Sequence, residues 1–211
     1  MKLLQKILLA HDFSKSSEQV VATAITLAKV FQAKIIPIHV LPDDDINEKV
    51  RLLLHETATQ KLEQTADRIK KEGIEVGEPL LKYGSPYESI INAAQNERVN
   101  LILIGPGETI EKENFQLGTT AQRIIQGSDQ PVFVVKEGDF KVERILCPVD
   151  FSSNSKRALK NAITISRRFE AELVIMNVLE LPGVKWLTSQ KGSEEEQDRR
   201  QKQQKEKFNQ F

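Results

Sequence analysis

The chain contains itself twice over part of its length. Residues 6–41, KILLAHDFSKSSEQVVATAITLAKVFQAKIIPIHVL, align without a gap on residues 144–179, RILCPVDFSSNSKRALKNAITISRRFEAELVIMNVL. Identical pairs include Asp12 with Asp150, Phe13 with Phe151, Ser14 with Ser152, Ser17 with Ser155, Phe31 with Phe169 and Val40 with Val178. The run Ala24-Ile25-Thr26 returns as Ala162-Ile163-Thr164. A constant offset across a whole segment is the mark of duplication, so the two copies must share a fold. Each copy opens on a short apolar run, continues through an amphipathic stripe and closes on a second apolar run. In the first copy the stripe is Val20, Val21, Ala24, Leu27, Ala28 and Phe31, which is helical spacing. The unit is therefore β-α-β, and continuous rather than alternating apolarity predicts strands covered on both faces.

The pattern continues beyond the first copy. Residues 46–71 predict a long helix with Ile46, Val50, Leu53, Leu54, Ala58, Leu62, Ala66 and Ile69 on one side, a basic last turn and Gly73 after it. Residues 76–83 predict a strand, which Pro79 assigns to a sheet edge. Gly84 turns the chain, and Ser85-Pro86-Tyr87-Glu88 reads as a capping box that opens a helix to about Arg98. The stretch LILIGPGETIEKENFQLGTTAQRIIQGSDQPVFVVK, residues 101–136, then gives strand, glycine-bearing loop, short helix (119–126) and strand (132–135). Residues 1–136 thus read β-α-β-α-β-α-β-α-β: an open parallel five-stranded α/β sheet with helices on both faces, Rossmann-like. In such sheets ligands sit beyond the carboxyl ends of the strands, where strand order reverses. The loop after Ile104 belongs there, with glycines that admit close backbone approach and a helix start that offers unpaired N–H donors to a phosphate.

Residues 137–143 form a polar linker, and 144–187 give only the first β-α-β of a second copy, with no second glycine loop. Residues 188–211 are a charged tail, helical or disordered, in which Ser193-Glu194-Glu195-Glu196 is a candidate helix cap. Lys plus Arg equals Asp plus Glu at 30 each, which leaves no electrostatic case for nucleic acid or an anionic membrane surface. The apolar runs are too short to span a bilayer, and the amino terminus lacks a small-residue cleavage site. The single cysteine, Cys147, makes no internal disulfide, and a reducing cytoplasm fits it.

These residues resemble the universal stress protein family in its tandem form, with the second domain incomplete. The strand ending in Asp12-Phe13-Ser14, Val40 at the close of the second strand, the Gly84-Ser85-Pro86 turn and the QPVFVVK ending carry the resemblance. Family members that bind ATP have glycine, two residues, glycine, nine residues, glycine, then Ser or Thr. Gly105 fits the first position and Gly118-Thr119 the last; the second falls on Glu108, with Gly107 one residue early. The resemblance implies an adenine-nucleotide α-hydrolase-like fold and a regulatory or protective role in stress response, without catalysis. It implies ATP or another adenine nucleotide as ligand. Asp12 and Phe13 would lie at its ribose or adenine region, and the Val40 backbone at adenine. Gly105, Gly107, Gly118, Thr119 and Thr120 would hold ribose and phosphates. It also implies pairing through the last strand, as a homodimer or between tandem domains.

Each residue also has a plainer reading. Asp12 is a natural helix or turn cap, and Thr119 and Thr120 are natural caps for the helix that follows. His11 and His39 are surface or helix-packed histidines rather than a metal pair, His55 is solvated, and Cys147 is a small buried apolar residue. One rival function is an interaction module with an empty pocket, which a carboxylate at position 108 favours. The other is an ATP-cleaving enzyme of the related superfamily, which would need a Ser-Gly-Gly-type loop after the first strand; His11-Asp12-Phe13-Ser14 is not one.

Overall fold

The computed structural model describes residues 4–43, 47–107, 117–136, 138, 140–178, 199, 202–203 and 205–208, with backbone only at residues 15 and 16. The chain forms two compact units, Met1–Phe140 and Lys141–Phe211. The first contains β1 (Lys6–Ala10), α1 (Lys15–Phe31), β2 (Lys34–Leu41), α2 (Glu48–Lys71), β3 (Leu80–Tyr83), α3 (Pro86–Asn96), β4 (Leu101–Ile104), α4 (Thr119–Gly127) and β5 (Val132–Val134). Its five strands make one sheet in the order β3-β2-β1-β4-β5, and every pairing is parallel. The chain winds outward from β1 to β3, then returns to the other side of β1 as β4. The reversal of strand order lies between β1 and β4.

β1 is the centre of the core. Ile7, Leu8 and Leu9 are all 0% exposed, so both faces of the strand are covered, as its unbroken apolarity demands. Leu8 joins Ile36, Ile38, Ile102 and Ile104 in a cluster closed by Ile90, Ala93 and Ala94 of α3 and Ala121 and Ile124 of α4. The opposite face carries Ile7, Leu9 and Ile35, and α1 and α2 contribute Val20, Val21, Leu62, Ala66 and Ile69, all buried.

Local chemistry sets the element boundaries. Ser14 caps α1 by accepting from the Ser17 N–H, and left-handed Gln32 ends it by donating to the Ala28 carbonyl. The box expected at Ser85 does not form: Ser85 occupies the N-cap position, yet its side chain makes no capping bond. Entry into α3 rests on Gly84 at φ 99° and on Pro86, whose ring fixes the first helical φ. β3 is shorter than residues 76–83. Pro79 has no N–H to give, and Val76 makes only an isolated bridge to Ile35, so the ladder starts at Leu80. β3 does lie at the sheet edge. Val135 falls outside β5, though its N–H still donates to Ile104.

The apolar stripe of α2 is only half buried. Ala58, Leu62, Ala66 and Ile69 pack, whereas Val50, Leu53 and Leu54 are exposed, and Ile46 lies outside the described residues. The helix spans 24 residues. At 1.5 Å per residue that is about 36 Å, far longer than a strand of four to eight residues. Its first turns extend past the sheet they would cover.

The second unit repeats the opening: β6 (Arg144–Pro148), α5 (Ser153–Phe169) and β7 (Glu172–Met176), with β6 and β7 paired in parallel. Local geometry is copied closely. Ser152 caps α5 through Ser155 as Ser14 caps α1 through Ser17, Phe151 has φ 66° against 63° at Phe13, and Glu170 is left-handed like Gln32. Cys147, Val149 and Ala162 form a small core, with the thiol buried as expected. In the tail, residues 199, 202–203 and 205–208 are helical, while the cap at residues 193–196 lies outside the described residues.

The two halves of α2 should separate in a mutational test. Leu62→Ala, at a side chain 2% exposed, is expected to cost about 2–5 kcal/mol in urea unfolding. Leu53→Ala, at a side chain 62% exposed, should stay within about 0.5 kcal/mol.

Candidate functional site

Three peptide segments meet at the carboxyl ends of the central strands. The turn after β1 brings Asp12, the end of β2 brings Val40, and β4 delivers Gly105. Gly107, Gly118, Thr119, Thr120 and these three residues line one cavity of about 510 Å³. A volume of that size is in the range of small-molecule and cofactor pockets. Ala10, His11, Ser17, Ile38, His39, Pro86, Ile90, Ile104, Ala121 and Ile124 complete its walls. Seven of the eight residues singled out from the sequence are thus brought together.

Phe13 is the exception. Its backbone is left-handed, and its ring lies 4.2 Å from that of His39, centroid to centroid, with the Lys61 ammonium 5.4 Å from its own centroid. It lines a different cavity, on the α2 side. An N–H donated from Phe13 to His11 Nδ1 at 3.1 Å helps to hold this conformation, which is uncommon for a bulky residue.

The glycine loop is pinched at its ends. Gly118 donates its N–H to the Pro106 carbonyl at 2.7 Å. A Cβ on Gly107 would stand 3.2 Å from the Gly118 Cα, and one on Gly118 would stand 3.2 Å from the Gly107 Cα and 3.3 Å from the Pro106 oxygen. Gly107 also has φ 82°, a region costly for other residues. The positive φ favours glycine at Gly107, and at Gly118 a Cβ would be tight against the Gly107 main chain. Glu108 itself lies outside the described residues.

Gly118 is also the N-cap of α4, and no side chain caps that helix. Thr119 and Thr120 occupy its first turn and do not cap it. The first N–H groups of a helix have no partner within it, and they carry the positive end of its dipole. The cavity wall therefore offers main-chain donors suited to an anion.

Asp12 serves the fold and the cavity together. Its Oδ1 accepts from the Ser14 N–H at 2.9 Å, from the Ser14 hydroxyl at 2.6 Å and from the Ser17 hydroxyl. Burial pushes its acidity down, but the hydroxyls of Ser14 and Ser17 and the Ser14 N–H together outweigh burial and hold the carboxyl below the usual range. The capping role read from the sequence and the place in the cavity wall coexist. His11 is buried rather than on the surface, and burial lowers its pKa and that of His39. His39 donates from Nδ1 to the His11 carbonyl at 2.6 Å. His55 is exposed and bonded through Nδ1 to the Tyr83 hydroxyl at 2.6 Å. Among the described residues no group of three or more His, Cys, Asp or Glu side chains is placed to hold a metal, and no helix is long and apolar enough to cross a membrane.

The wall residues Ile90, Ala121 and Ile124 had no signal of their own in the sequence, because they belong to ordinary apolar stripes. Pro86 and Ile90 stand one helical turn apart directly after the Gly84 turn, and that spacing was the available clue.

The Asp12 carboxyl gives an acid signature. A carboxyl held below its ordinary value near 3.8 stabilises the fold above that pH and loses its contribution as pH falls through the folded pKa. Asp12→Asn is expected to flatten the acid limb of the stability-versus-pH curve below about pH 4, measured by urea unfolding at stepped pH. An unchanged acid limb would show that the Ser14 and Ser17 bonds do not favour the charged form.

Comparison with known proteins matches this architecture. The profile of the Universal stress protein family fits residues 4–136 and 141–210. A universal stress protein of Methanocaldococcus jannaschii is 29% identical over 143 residues, which cover 64% of this chain and 84% of that one. The crystal structure of a universal stress protein from Archaeoglobus fulgidus superposes with a TM-score of 0.70 at 25% identity, over 85% of this chain and 68% of the other. A universal stress protein from Archaeoglobus fulgidus, solved in complex with dAMP, aligns at 25% identity and a TM-score of 0.50 over 64% of this chain and 100% of its own. The profile match spans both units, and the chain belongs to the universal stress protein family.

Proposed function

We propose that the first unit binds an adenine nucleotide in the cavity between β1, β2 and α4, and that its output is occupancy rather than turnover. The observation that carries this reading is the convergence of Asp12, Val40, Gly105, Gly107, Gly118, Thr119 and Thr120 on one cavity. Phosphates would meet the open N–H groups of α4, the Asp12 side the ribose, and the Val40 main chain the base. The dAMP complex of the Archaeoglobus fulgidus relative supports the ligand class. The hydroxyls of Ser14 and Ser17 are tied to Asp12 Oδ1 at the start of α1, which in this reading gives them a capping rather than a catalytic part. The second unit repeats the Asp150-Phe151-Ser152 turn without a glycine loop, and in this reading it does not bind nucleotide alone.

Titration with a fluorescent ATP analogue tests the reading. Saturable binding by the parent chain is the expected result, tightened about tenfold or more in Glu108→Gly. Two unit charges about 4 Å apart repel by roughly 4 kcal/mol at an effective dielectric near 20, and salt screens part of that. Binding by Glu108→Gly alone would mean a pocket closed by one side chain. Binding by neither would leave an interaction module. Phosphate release above background would reopen catalysis.

In the same reading the chain pairs through β5, an edge strand of apolar residues. Light scattering should then report twice the 23.9 kDa of one chain, and a monomer mass at every concentration would reject it.

A further inference from the structure

A second cavity, of about 580 Å³, opens on the α1/α2 side of β1, away from the glycine loop. His11, Phe13, Glu18, Lys61, Arg68 and Lys71 are among its lining residues. His11 supplies the informative group. Its side chain is 2% exposed, and Nε2 is the one buried side-chain nitrogen or oxygen without a hydrogen-bond partner among the described residues. The tautomer follows from the neighbouring bond. The Phe13 N–H donates to Nδ1, so Nδ1 holds the lone pair and the proton of the neutral ring is on Nε2. Glu18 Oε1 is 3.8 Å from Nε2, beyond hydrogen-bond range, and the Glu18 carboxylate is engaged at Oε2 by Arg68 at 2.6 Å. An unmet buried donor costs free energy, and a polar partner in the cavity would recover it.

The charges around it point the same way. Asp67 is paired with Lys70, and Glu18 with Arg68. Lys61 and Lys71 make no ion pair among the described residues; Lys61 lies over the Phe13 ring. The uncompensated groups on this wall are therefore donors or cations: Nε2–H, Lys61 and Lys71. We propose that this cavity is a second ligand site, for a small oxyanion, either a carboxylate or a phosphate, seated between His11 Nε2 and Lys61. The site lies away from the glycine loop, although His11 borders both cavities.

The test is a titration of the full chain, 15N-labelled, with sodium phosphate and separately with sodium acetate at constant ionic strength, read by the two-bond 1H–15N signals of the imidazole rings. A saturable shift of the His11 Nε2 signal is expected with at least one anion. Lys61→Gln should weaken that binding by about fivefold, the loss of roughly 1 kcal/mol for an exposed charge contact. The main-chain amides of Thr119 and Thr120 report the glycine-loop cavity. Shifts confined to them would place the anion there and overturn the proposal. A His11 signal fixed through both titrations would mean that a water or a rotated Glu18 satisfies Nε2, and would overturn it too. So would a saturable shift indifferent to Lys61→Gln.

Discussion

The burial of β1 on every side is the constraint from which the rest follows. Its side chains are covered on both faces, and its main chain is paired with β2 on one edge and β4 on the other. Its central residues Ile7, Leu8 and Leu9 are buried and apolar, so the chemistry it brings to the cavity is deferred to its carboxyl end. There the chain must leave the sheet, and its first residues outside are His11, Asp12 and Phe13. The reversal of strand order beside β1 opens the crevice that those residues border. The glycine loop reaches the same crevice because β4 is parallel to β1 and ends at the same level.

The turn after β1 distributes its three side chains to different places. Asp12 stays on the cavity side, tied to Ser14 and Ser17 at the start of α1. Left-handed backbone at Phe13 sends its ring to the α2 side, between His11, His39 and Lys61. One short turn thus borders two cavities. Asp12 does so while carrying the local cap, so the same carboxylate contributes to stability and to the wall of the site.

The duplicated opening works as an internal control. The caps, the left-handed phenylalanine and the left-handed helix end recur in the second unit, because each depends on residues within a few positions. Burial recurs only in part: Cys147, at 5% exposed, matches Leu9 at 0%, but the face of Leu8 is not covered again. Leu8 is 0% exposed, and its counterpart Leu146 is 56% exposed. In the first unit α3, β4 and α4 cover that face and edge, and the second unit has no such elements among its described residues. Identical local chemistry reproduces local geometry; only neighbours supply a core.

Alternation of apolar runs and helical stripes, punctuated by Gly84, Pro86 and Pro79, was enough to read nine elements of the first unit and their parallel sheet, since these signals act over one or two turns of chain. The loop glycines were legible because close backbone approach favours glycine, and Asp12 was legible as a cap, whereas its place in the site and that of Val40 came from the family resemblance. The tertiary structure alone decided four things. It buried His11 and orphaned its Nε2, left the first turns of α2 beyond the sheet, sent Phe13 out of the main cavity, and put Ile90, Ala121 and Ile124 into its wall. The reason is one of range: periodicity and capping are set by neighbours in sequence, whereas exposure and cavity lining depend on segments brought together from far apart.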